Sequence, residues 1–289
     1  MPISLLVSLI INCQPKLTYS KGSLFIIGGV DRSPELIQSL ISTAKLDTKD
    51  YIVILPMSSA KPDSSYYYIK EDLAKSTRNI IANLNFTKDK VNDNKWLDSL
   101  KHARLIFITG GDQSRFMNIV LHTPVVDAIH YAHKRGATIA GTSAGAAVMS
   151  KQMITGNQLS ADSSSATFKI IHNNNVELTE GIGLLETIII DQYFIVRSRY
   201  NRLISVLAKF PSYTCISIDE ATAIIVQGKK ITVAGESQVV VLSDPENLSV
   251  KKKIDKNEGV AIQHLYQWRC FLDQVNTVIY KLLSLLSHH

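Results

Sequence analysis

The residues with the clearest chemical signature are Gly141-Thr142-Ser143-Ala144-Gly145. A serine with a glycine two positions to either side marks a sharp strand-to-helix turn. The glycines let strand and helix approach closely and relieve clashes at a strained central residue. Such a turn presents the Ser143 hydroxyl at a helix N-terminus, where backbone N–H groups and the helix dipole favour developing negative charge. Ser143 is therefore the candidate nucleophile, and the N–H of Ala144 is one candidate oxyanion donor. A second glycine turn, Thr109-Gly110-Gly111-Asp112-Gln113, closes an apolar run. Gly110 or Gly111 can offer the second oxyanion N–H, and the Gln113 amide can hydrogen-bond a substrate carbonyl or amide. The same residues also make a plain helix start with Asp112 as its cap.

Two further polar clusters follow apolar runs. Asp191-Gln192-Tyr193-Phe194 precedes Arg197, Arg199 and Arg202. Three guanidinium groups near a strand end suit bidentate reading of a carboxylate, and they equally suit a solvated helix face. Asp219-Glu220 ends another apolar run, and a carboxylate there either orients a catalytic base or caps a turn.

These clusters need elements that gather them. Ser23–Ile27, Tyr51–Leu55, Leu105–Ile108 and Thr138–Ala140 read as buried strands, ending at Gly28-Gly29, Pro56, Gly110-Gly111 and the serine turn. Between them, Ser33-Pro34 opens a helix with Leu36, Ile37, Leu40, Ile41 and Ala44 on one face. A second helix runs from the polar stretch Ser58–Ser65 towards Leu84, and a third spans Val125–Arg135 and closes at Gly136. Further on, Glu186–Ile190 is a strand and Ser198–Phe210 a helix. Cys215–Ile218, Thr222–Val226, Ile231–Ala234 and Val239–Leu242 are late strands. The segment Gln274–Leu286 is apolar with a helical period. Alternating strands and helices predict an α/β fold with a doubly wound, mostly parallel sheet, whose ligands gather at the carboxyl ends of the strands.

Composition narrows the function classes. At 289 residues, 45% apolar and 19% charged, the chain suits one globular domain, assigned to residues 21–289. A formal charge of +6 with scattered lysines, apart from Lys251-Lys252-Lys253, gives no basic face for nucleic acid. No metal-ligand spacing appears among the dispersed histidines. Residues 1–20 are expected to be an export or lipoprotein segment: Ile3–Ile11 is a short apolar run, and Cys13 follows it at the place of a lipid-attachment cysteine. That predicts an exported, periplasmic or lipid-anchored bacterial protein with membrane attachment through Cys13. A cytoplasmic protein with a core-packing N-terminus is the alternative. Cys215 and Cys270 make no disulfide framework, and Cys215 reads as a small core residue. Ser160–Ser165 lies in a loop.

Together the clusters resemble cyanophycinase and its relatives, the serine peptidases that include α-aspartyl dipeptidase. The matching pieces run in order from Phe25-Ile26-Ile27-Gly28-Gly29 through the Thr109–Gln113 turn, Gly141–Ala146 and Asp191-Gln192-x-Phe194 to Ile218-Asp219-Glu220. The resemblance implies a class I glutamine-amidotransferase-like fold, no cofactor and hydrolysis of β-aspartyl peptides by a Ser-His-Glu triad. A homodimer is the expected assembly. Ser143 matches the nucleophile and Glu220 the acid, while Gln113, Asp191, Gln192, Arg197, Arg199 and Arg202 match substrate-contacting positions. A glutamine amidotransferase would carry cysteine at position 143.

The histidine does not carry over, because Tyr193 stands where the family pattern has it. A histidine takes the serine proton near neutral pH and returns it to the leaving amine. A phenol, ionising near ~10, is a poor base at pH 7. Three readings stay open: His172 substitutes as base, Tyr193 serves a modified mechanism, or the protein binds carboxylate-bearing peptides without turning them over.

Overall fold

The computed structural model describes residues 22–30, 32–159, 175–193, 200–243, 252–254, 260–262, 267–272 and 275–280. Along the chain, β1 (Ser23–Ile27), α1 (Pro34–Ala44), β2 (Tyr51–Leu55), α2 (Pro62–Ala74), β3 (Ile80–Asn83), α3 (Asn94–His102), β4 (Leu105–Ile108), α4 (Gln113–Val120), α5 (Pro124–Lys134) and β5 (Thr138–Thr142) lead into the one-turn helix α6 (Ala144–Ala147). Next come β6 (Gln152–Gln158), β7 (Val176–Glu180), β8 (Ile188–Gln192), α7 (Tyr200–Lys209), β9 (Thr214–Ile218), β10 (Thr222–Gln227), β11 (Lys230–Gly235) and β12 (Gln238–Ser243). The last strands are β13 (Lys252–Ile254), β14 (Val260–Ile262), β15 (Gln267–Leu272) and β16 (Val275–Tyr280).

Strand side chains alternate between faces, and here both faces are covered. Leu24, Ile26, Val53, Leu55, Ile106 and Ile108 pack with the apolar sides of α3, α4 and α5. Phe25, Ile27, Ile52, Ile54, Leu105 and Phe107 pack with those of α1 and α2. The helices start where side chains satisfy their first N–H groups: Ser33 Oγ accepts from Leu36 N, Asp93 from Lys95 N and Trp96 N, Thr123 from Val125 N. The main sheet has seven strands in the order β11-β10-β1-β5-β4-β2-β3; β1 to β5 are parallel, and β10 and β11 add an antiparallel edge.

Three sequence expectations need correction, and one element had no counterpart in the sequence reading. The late strands do not extend one sheet: β8 and β9 pair parallel in a second sheet, ordered β16-β15-β12-β9-β8. The helix expected to run towards Leu84 stops at Ala74, and the β-branched pair Ile80-Ile81 opens β3 alongside β2 instead. In the Gln274–Leu286 segment, Val275–Tyr280 forms β16, paired antiparallel to β15; β-branched Val275, Thr277, Val278 and Ile279 favour a strand there. The β6–β7 hairpin was not foreseen at all. Residues 1–20 with Cys13, the loop 160–165, His172, Phe194, Arg197, Arg199 and the end of the tail lie outside the described residues.

Candidate active site

Carboxyl ends of β1, β4 and β5 meet at Ser143. The residue adopts φ 52 and ψ −110, a conformation L-residues avoid, directly between β5 and α6. The flanking glycines make this turn geometrically possible. A β-carbon at Gly141 would overlap the carbonyl of Gly145, and one at Gly145 would overlap the carbonyl of Ile108. Ser143 N–H donates to Ile27 O at 3.0 Å, which ties the turn to β1. Although Ser143 sits at the N-cap position, its hydroxyl does not cap α6, and it is half-buried among fully buried neighbours. The hydroxyl is thus left available to chemistry.

The expected oxyanion donors are close by. Ala144 begins α6, so its N–H has no acceptor within the helix. Gly110 lies against the serine: a β-carbon there would sit 3.4 Å from Ser143 Cβ. Asp112 takes the capping role, its Oδ1 accepting from Ser114 N at 2.8 Å and Arg115 N at 3.1 Å.

A cavity of about 150 Å³ opens beside Ser143. Gly111 and Gln113 line one side of it, Gln192, Tyr193 and Arg202 another. The third side was not anticipated: Ile154, Thr155 and Gly156 of β6 close it. An isolated glycine inside a strand-like run, here Gly156, signals a bulge, and that was the one available cue.

Several of the expected substrate contacts also make bonds within the protein. Asp191 is fully buried and does not line the cavity; its carboxylate accepts from Arg202 Nε at 3.0 Å, from a second Arg202 nitrogen, and from Gln192 N at 2.7 Å. Arg202 is 2% exposed, so it is the partner of a buried charge before it is a reader of carboxylates. Gln113 is 8% exposed, and its Nε2 donates to the carbonyls of Ile154 at 3.0 Å and Thr155 at 2.5 Å. Cys215 is buried, and burial together with the nearby Asp191 carboxylate pushes its thiol well up, as suits a core residue.

Tyr193 and Glu220 follow the carboxyl ends of the parallel pair β8 and β9. Tyr193 has φ 58, and the hydroxyl end of its ring lies against Gly29, where a β-carbon would overlap both Cζ and the hydroxyl. Glu220 is half-buried on the turn between β9 and β10 and is not among the residues lining the cavity. That turn is fastened to the same glycine: Ala221 N–H donates to Gly29 O at 3.3 Å. Asp219, beside it, accepts from Ser237 Oγ at 2.9 Å. The tyrosine and the carboxylate-bearing turn therefore converge on Gly29, next to the Ile27 carbonyl that anchors Ser143.

Residues 24–234 match the model of peptidase family S51. The chain is 30% identical over 256 residues to the cyanophycinase of Trichormus variabilis, a span of 85% of this chain and 82% of that one. Against the cyanophycinase of Geminocystis herdmanii it is 30% identical over 259 residues, covering 86% and 90%. Among solved structures, a peptidase from an acI-B1 Actinobacterium superposes with a TM-score of 0.59 at 21% identity, covering 78% of this chain and 95% of that one. The shared architecture is the class I glutamine-amidotransferase-like α/β fold.

Proposed function

The chain belongs to peptidase family S51, a cyanophycinase-like serine hydrolase, and from that premise we propose that it cleaves β-aspartyl (isoaspartyl) or acidic peptides at Ser143 with an altered triad. The observation that carries this reading is the serine turn itself. Its φ of 52, its uncommitted hydroxyl and its cavity are what a nucleophile requires.

On this reading Ser143 Oγ attacks the scissile carbonyl and passes its proton to solvent water in the cavity, from which the departing amine is later protonated. The N–H of Ala144 with that of Gly110 or Gly111 holds the oxyanion. The tetrahedral adduct expels the amine, which takes a proton, and water then releases the acid from the acyl-enzyme by the reverse steps. Tyr193 occupies the position from which the family's base acts.

One observation favours a second reading, a catalytically inactive protein that binds carboxylate-bearing peptides. Tyr193 is a weak base, and its ring is packed on Gly29. Hydrolysis of β-aspartyl-arginine by the purified protein, compared with Ser143→Ala, separates the two. Equal rates eliminate the hydrolase reading. A fluorophosphonate that fails to label Ser143 while the dipeptide still binds favours the second. Tyr193→His is expected to raise the rate by ~10²–10⁴ if the missing base is what limits turnover.

A further inference from the structure

The third side of the cavity is built in an unusual way. In the β6–β7 hairpin, Ile154 pairs with Leu178 and Gln158 with Val176, so residues 155–157 bulge opposite Glu177 alone. Two latches hold this bulge. From α4, Gln113 Nε2 bonds the carbonyls of Ile154 and Thr155. From β7, Glu177 Oε2 accepts from Thr155 Oγ1 at 2.5 Å and from Asn157 Nδ2 at 2.8 Å. Asn157 N–H also donates to Thr155 Oγ1 at 3.2 Å. Those bonds hold the Glu177 carboxyl below its ordinary range, Thr155 contributing most, so the β7 latch stays charged at neutral pH.

We propose that the 155–157 bulge is the wall that selects the acyl-side residue by size, and that Gln113 is the positioning residue of that wall. The proposal rests on the β-aspartyl reading above. Thr155 and Gly156 face Ser143 across a cavity of about 150 Å³. In a packed pocket a single methylene changes kcat/KM by about 10–200-fold. A wall pinned from two sides therefore favours β-aspartyl over γ-glutamyl, which is one methylene longer. Gln113 acts through the bulge, because its two donor hydrogens are committed to β6 carbonyls.

The test uses the full-length protein with Gln113→Leu, Thr155→Val and Thr155→Ser. Each is assayed for kcat and KM on β-aspartyl-arginine and γ-glutamyl-arginine, and for the rate of fluorophosphonate labelling at Ser143. If turnover is absent, calorimetric Kd values of the two dipeptides on Ser143→Ala backgrounds give the same ratio. The wild type is expected to prefer β-aspartyl by about tenfold or more. Gln113→Leu and Thr155→Val should each erase most of that preference through KM or Kd, with labelling changed less than about twofold, and Thr155→Ser should retain it. The double variant Gln113→Leu/Thr155→Val should lose no more than either single one, since both release the same wall. Loss of labelling in Gln113→Leu with the preference intact overturns the proposal, as does an unchanged preference in Thr155→Val. Should Gln113→Leu fail to fold, the Thr155→Val and Thr155→Ser pair decides alone. A wild type that labels at Ser143 but neither binds nor cleaves either dipeptide defeats the β-aspartyl reading itself, a distinct result that removes this assignment with it.

Discussion

The two sides of the cavity are held by different forces. On the Ser143 side, backbone lies on backbone: Gly141 fits the Gly145 carbonyl, Gly145 fits Ile108, and Ser143 N–H binds Ile27 O. On the facing side, position depends on side chains reaching across long stretches of chain. Arg202 holds Asp191, Gln113 holds β6 from 41 residues away, and Glu177 holds Thr155. Close backbone packing leaves no tolerance for added atoms, whereas a side-chain brace fails when one partner loses its polar group. The Ser143 turn is fixed by shape, and its surroundings by pairing.

That contrast can be broken at its strongest brace first. Arg202→Met leaves Asp191 charged and buried, and should cost about 3–5 kcal/mol in denaturant unfolding. Adding Asp191→Asn should recover much of that loss, since the uncompensated charge is gone. The shape-fixed side is tested by Gly145→Ala, whose methyl meets the Ile108 carbonyl; a loss of about 1–3 kcal/mol, with Ser143 labelling abolished, is expected. Gly110→Ala sharpens the contrast. Its β-carbon meets Ser143 at an ordinary 3.4 Å, so stability should change by less than about 1 kcal/mol while labelling slows. Last comes a change expected to leave both sides alone. Burial, with help from the charge of His130, pushes His133 down to about 4. Folded His133 is therefore neutral where the unfolded side chain already takes a proton. Its stabilising contribution is present above about pH 6.5 and lost as pH falls towards 4. Melting temperature should drop across that window, His133→Gln should flatten the drop, and fluorophosphonate labelling at pH 7 should be equal in both proteins.

The shape-fixed side was also the legible one. Strands β1, β2 and β4 have the boundaries that their apolar runs predict, because strands covered on both faces must be continuously apolar. The serine turn announces itself through glycines whose spacing its geometry demands. Strand β3 escaped notice because it lies at the edge of the sheet, with Ile80 at 74% exposure and one apolar pair as its only mark. Pairing is harder to see in sequence. Asp191 and Arg202 look like two separate ligands until the fold brings them together, and Gln113 gives no sign that its amide is committed to β6. The partition into two sheets was hidden for a related reason: β8 and β9 are nearly as buried as β1, and nothing local says which neighbour a buried strand will choose.

That partition bears on how the site can change over generations. Ser143 and Gly110 descend from strands of the seven-stranded sheet, while Tyr193 and Glu220 follow strands of the other. The serine turn and the residues proposed to act with it thus belong to separately built layers that meet at Gly29. A lineage can replace the residue at position 193 without disturbing the turn that displays the serine, since no strand or helix that shapes the turn carries that residue. The proposed site is built in two halves, one held by its own backbone and the other carried by a separate sheet. Restoring a base at position 193 should accordingly require no remodelling of the nucleophile's half.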